Sequence, residues 1–132
     1  MKILSDIRSL CVPALRVAGS AGAASARASL DGRNFDGIVL ECGKTSGDAD
    51  TLIFQGGRFR STACDQYGYG DGPYTATRSG ETVTFEAETE SPKYGKLRWT
   101  GVVRGARLDG TMTMIRDGRA TGEKWVLAGE RT

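Results

Sequence analysis

From Phe35 to Leu127 apolar and polar residues alternate with a period of two, in short runs separated by glycine-bearing turns. That is the pattern of half-buried β-strands joined by hairpins. The run Asp50–Cys64, D-T-L-I-F-Q-G-G-R-F-R-S-T-A-C, carries it most fully. Its Gly56-Gly57 pair supplies the positive φ angles of a two-residue hairpin turn. Pairing Gln55 with Arg58 then sets Ile53 against Arg60 and Phe54 against Phe59, so one face is aromatic and the other carries both arginines.

The same arithmetic extends along the chain, because consecutive hairpins must leave their apolar residues on one side. Phe35–Cys42 reads as a first strand with Ile38 and Leu40 on the inner face. A turn at Ser79-Gly80 pairs Ala76 with Val83 and Tyr74 with Phe85. A turn at Ser91–Gly95 pairs Ala87 with Trp99, Phe85 with Gly101 and Val83 with Val103, and it places Glu88 opposite Arg98 and Glu90 opposite Lys96 on the outer face. The Arg104–Arg107 turn sets Val103 against Leu108, Gly101 against Gly110, Trp99 against Met112 and Leu97 against Met114. A last loop, Asp117–Gly122, is expected to bring Trp125 against Met114, Leu127 against Met112 and Gly129 against Gly110. The expected fold is all-β: about eight antiparallel strands in an up-and-down meander, bent by a row of glycines with Phe85 over Gly101, and closed into a small barrel that leaves no exposed edge. A flattened two-sheet sandwich is the alternative.

At 132 residues the chain has room for one domain with a modest core. Residues 1–28 stand apart from a barrel domain at 29–132. They carry Lys2, an apolar and small-residue stretch through Leu10–Leu15 and Val17–Ala26, and a small-x-small site at Ala24-Ser25-Ala26. This is the outline of a secretory signal, interrupted by Asp6, Arg8 and Arg16, so a signal-like leader or a disordered extension is expected, with export the favoured location and the cytoplasm the alternative. No run of the ~18 apolar residues that a membrane-spanning helix needs is present, so no membrane insertion is expected. Without that segment the body holds 14 cations against 15 anions, which gives no electrostatic footprint for nucleic acid.

Five stretches together carry a resemblance: D-T-L-I-F-Q-G-G-R-F-R-S (50–61), Tyr67-Gly68-Tyr69 after Cys64, V-T-F-E-A (83–87), W-T-G-V-V-R-G (99–105) and K-W-V-L-A-G (124–129). Over roughly residues 30 to 130 they resemble small exported bacterial proteins of the calycin, or lipocalin-like, type. The resemblance implies a barrel fold and an export route rather than an activity.

Candidate chemistry is sparse. The chain has no histidine, so Cys-His catalysis is impossible within it, and its cysteines and carboxylates show no ligand spacing; no metal or cofactor is expected. Cys42 and Cys64 end the first and third strands at one end of the barrel. They start about 10 Å apart by strand spacing, so either the loops bend them into a disulfide, worth about 3 kcal/mol on the chain-entropy estimate, or they remain two thiols. The loop Gln66–Tyr74 is the leading contact segment, its Tyr67, Tyr69 and Tyr74 serving either a guest molecule or as a plug for the barrel end. Phe85, Trp99, Met112 and Trp125 are expected on the inner face, lining a cavity or filling it. Glu86, Glu88 and Glu90 recur on the outer face as a charge ladder with Lys96 and Arg98 rather than as catalytic acids.

Two functions fit these residues. One is a non-enzymatic, monomeric barrel that holds a small apolar or amphipathic ligand inside or at its mouth through Tyr67, Tyr69, Tyr74, Phe85, Trp99, Met112 and Trp125. The other is a protein-interaction module of the periplasmic-inhibitor kind, presenting the Gln66–Tyr74 loop on a filled scaffold. An enzyme is not expected, since no carboxylate falls on the expected inner face.

Overall fold

In the computed structural model, which describes residues 26–131, the chain is almost continuous β-structure. The strands are β1 Ala26–Arg27, β2 Asn34–Glu41, β3 Asp48–Gln55, β4 Arg58–Ser61, β5 Asp71–Ser79, β6 Thr82–Ser91, β7 Gly95–Arg104, β8 Arg107–Arg116 and β9 Arg119–Glu130. A 3-10 helix, Thr62–Tyr67, lies between β4 and β5. Each strand from β2 to β9 pairs antiparallel with the next, and β9 returns to β2, so eight strands close in sequence order and the sandwich is excluded. The expected signal-like run to Ala24, and Cys11 within it, lie outside the described residues. Ala26 and Arg27 pair with Arg78 and Thr77 on the half of β5 that β4 does not reach, so the hydrogen-bonded body begins ahead of Ser29.

The hairpin at Gly56-Gly57 has the expected register, with both glycines at positive φ and with Phe54 opposite Phe59, both fully buried. The β6–β7 and β7–β8 pairings are also as expected, from Ala87 opposite Trp99 to Leu97 opposite Met114. Gly101 faces Gly110, and a Cβ added at Gly101 would lie 2.7 Å from Phe85 Cε1, so Phe85 does occupy the space a side chain would need there.

Three registers differ from expectation. β5 pairs with β6 two residues further on, Ala76 with Phe85 and Tyr74 with Ala87, because the turn is made at Gly80-Glu81; a shift of two keeps every side chain on its face. The β8–β9 connection is a two-residue turn at Asp117-Gly118, both at positive φ, followed by an irregularity between Met114 and Ile115. The extra residue changes parity. Val126 then faces Gly110 and Ala128 faces Leu108, while Trp125 and Leu127 lie on the outer face and Gly129 leaves the glycine row to pair with Arg107. On β2 the inner residues are Phe35, Gly37 and Val39, so Ile38 and Leu40 also point outward, opposite Leu127 and Trp125. Both β2 and β9 are apolar on both faces, so alternation alone could not choose between them.

Inside, aromatic rings fill the barrel. Phe54 makes edge contacts with Phe35, Phe59, Tyr74 and Phe85 at centroid separations of 5.9, 5.2, 4.9 and 5.1 Å, and Phe59 lies 5.0 Å from Trp99. The Trp99 indole N–H donates to Thr89 Oγ1 at 3.4 Å, which satisfies the polar atom of a residue that is only 1% exposed. At the end marked by the β3–β4 turn, Ala28–Arg33 links β5 to β3 through Ala28 N to Ala76 O and Gly32 N to Phe54 O, and it inserts the fully buried Leu30.

Candidate functional site

The other end of the barrel is covered by the 3-10 helix and the glycine-flanked loop that follows it, and there the residues with chemistry gather. Asp50, Leu52 and Phe54 point inward from β3, and Phe59 and Ser61 from β4. Asp50 is therefore an inner-face carboxylate, 7% exposed, which corrects the expectation of none. Its Oδ2 accepts the Ser61 hydroxyl at 2.5 Å and its Oδ1 accepts the Ala63 backbone N–H at 3.0 Å. This is a cap borrowed from another strand: an N–H group in the helix's first turn is satisfied by a carboxylate 13 residues away in sequence.

Burial pushes the Asp50 carboxyl above the ordinary value of 3.8, against the lowering influence of Ser61 and the Ala63 N–H and with some help from the Asp65 charge. A raised folded value means the folded protein holds this proton more tightly than the unfolded chain. Its contribution to stability is then fully present below 3.8 and is lost as pH rises through the folded value. Asp50→Asn should consequently gain stability relative to the native chain as pH rises from about 4 toward 7. Urea unfolding of both proteins across that range measures the difference; a native chain that gains on the variant instead would mean the two hydrogen bonds outweigh desolvation.

Cys64 lies on the same helix, half-buried against the core, and it is a free thiol. The Cys42–Cys64 bridge is thus not made. The physical reason is direction: Cys64 turns toward the interior, whereas the Cys42 sulfur lies 3.8 Å from the Glu123 carbonyl oxygen on β9. Burial raises the Cys64 pKa, Ser61 lowers it, and the neighbouring Asp50 and Asp65 charges raise it further, so the thiolate needed for nucleophilic chemistry is disfavoured. Ser61 itself is 1% exposed, so no substrate reaches the Asp50–Ser61 pair in this closed arrangement.

The structure divides the expected site residues among three places. Tyr67 and Tyr69 belong to the cap; Tyr69 packs half-buried on the core, and Tyr67 stands out at 47% exposure. Tyr67 meets Tyr94, itself 41% exposed on the β6–β7 turn, in a perpendicular contact with centroids 5.7 Å apart. Ser91 Oγ donates to the Tyr67 carbonyl at 2.8 Å and accepts the N–H groups of Lys93 and Tyr94, which binds the cap to that turn. Tyr74 works at the other end: its hydroxyl donates to Asp31 Oδ1 at 2.7 Å and accepts the Leu30 N–H at 2.8 Å. Phe85, Trp99 and Met112 lie together in the packed interior, and Trp125 is on the outer wall. Sequence reasoning missed Tyr94 and Asp50; the spacing Asp50-x-Leu52-x-Phe54 was the signal for the second.

An open groove of about 940 Å³ lies outside the barrel beside Tyr94, lined by Glu88, Glu90, Lys93, Lys96, Arg98 and Arg116 among others. Glu88 pairs there with Lys96 at 3.3 Å and with Arg98 at 4.0 Å, an exposed charge ladder of the kind expected from the register. Among the described residues no cluster of carboxylates and cysteines is placed to hold a metal ion. Compared with known protein families, curated proteins and solved structures, the chain matches none.

Proposed function

We propose that the protein is a non-enzymatic interaction module, a barrel of calycin-like architecture that engages another protein through the capped end. The observation that carries this reading is the Tyr67–Tyr94 pair. Two large amphipathic rings from separate segments stand exposed and in mutual contact, on a cap fastened by Asp50, Ser61 and Ser91. Fixed, exposed tyrosines contribute contact area at small entropic cost, and such residues recur as the energetic centre of protein interfaces. The small-molecule alternative would need space beside Trp99 and Met112, where Phe59 instead lies 5.0 Å from Trp99 and Met112 is part of the same buried core.

A photo-crosslinking residue placed at position 67, in protein expressed in its own host, is expected to capture one discrete partner. The same probe at Arg104, exposed at the opposite end, should capture none, and Tyr94→Ala should weaken capture at 67 by ten-fold or more, the cost of losing a hot-spot tyrosine. Identical products at both ends, or a retained small molecule in the native mass spectrum that is released on mild denaturation, would overturn the interaction reading.

A further inference from the structure

The outer wall of the barrel is not uniform. Outward-facing residues of β4 and β5, such as Arg58, Arg60, Thr75 and Thr77, are exposed as expected for a sheet facing water. On the opposite wall, Leu40 of β2 is 3% exposed and Thr111 of β8 is 5% exposed, although both point away from the interior. Between them lies Trp125, paired with both, and beside it the Ile38–Leu127 pair; all three are partly buried. The parity reversal on β9 has thus produced an apolar outer face centred on a tryptophan, and apolar strands are retained on both faces where both are covered.

We propose that residues 1–25 dock on this outer face, with the run Leu10–Leu15 over Trp125 and Leu127. The segment is long enough. It joins the barrel at Ala26 on β5, four strand spacings or about 19 Å around the wall from β9, whereas 25 residues span up to about 80 Å when extended. Its chemistry matches as well, since the cations Arg8 and Arg16 bracket the apolar run, and Asp109 and Glu123 flank Trp125 and Leu127 on the outer face. The same placement brings Cys11 toward Cys42, two residues beyond Leu40, while the third cysteine, Cys64, is taken up by the core.

Fluorescence tests this in the full chain. Trp99 is shielded inside the barrel, so iodide quenching reads Trp125. Replacing Leu10, Val12 and Leu15 together by Asp leaves the barrel untouched and is expected to raise the quenching constant at least about two-fold. Quenching that is unchanged by the substitutions overturns the proposal. So does a purified mature protein that lacks residues 1–25, or a native dimer in which dilution, rather than the substitutions, exposes Trp125; those outcomes would assign the face to a different protein or to a second copy.

Discussion

Phe54→Ala is expected to lower the unfolding free energy by about 3–5 kcal/mol, the range for truncating a fully buried aromatic side chain. Phe54 lies at the centre of the aromatic interior, with Phe35, Phe59, Tyr74 and Phe85 all in edge contact with its ring. Those neighbours come from four different strands, and none can close the void without moving a closed ring of hydrogen-bonded backbone. Against a typical total stability of about 5–15 kcal/mol the loss is large, and the melting temperature should fall by more than about 10 °C. Phe54→Leu, which keeps much of the volume, should recover more than half of the deficit. Equal losses from both substitutions would mean that ring-to-ring contact rather than filled volume holds the interior together.

The second large effect separates neighbours on β9. Val126 is buried opposite Gly110 and Val39, whereas Leu127 points to the outer face. Val126→Asn removes buried apolar area and introduces an amide with no partner in the interior, together costing about 3–4 kcal/mol. Leu127→Asn should cost less than half as much, because Leu127 is only partly buried and its amide can be hydrated by displacing the segment that covers it, without opening the barrel. Chemical denaturation of the two variants decides the parity of the strand. The reverse order would restore the register in which Trp125 and Leu127 face Met114 and Met112.

The contrast between hairpins explains what could be read in advance. Where a turn is short and one face is clearly polar, as between Phe54 and Phe59 or along β6–β8, residue order sufficed to place each side chain. Glu88, Arg98 and Lys96 opposed the apolar set there, and slipping by one residue would have buried them. On β2 Asp36 shares the face of Ile38 and Leu40, and on β9 both parities carry charge, Glu123 with Trp125 and Lys124 with Val126, so charge did not mark the inner face as plainly. Phe35 competed with Ile38 and Leu40 in one strand, where pairing with inner Leu52 set the face, and Val126 with Trp125 and Leu127 in the other, where a single extra residue beyond the Asp117-Gly118 turn set it.

The candidate site divides along the same line. The turn chemistry of Gly68, Gly70 and Gly72 with Pro73 and the amphipathic character of the tyrosines marked the Gln66–Tyr74 segment as a surface feature from its composition. Nothing local joined Tyr67 to Tyr94, Asp50 to the Ala63 N–H, or Tyr74 to the Leu30 backbone, since each of these contacts spans 13 or more residues. By itself the sequence determined an antiparallel meander, its number of strands, the aromatic interior and most of the turns, because period and turn chemistry are properties of a few adjacent residues. Only the closed structure decided which face of β2 and β9 turned inward and which tyrosines stayed in water, because those choices depend on burial, and burial is settled by the whole ring of strands at once.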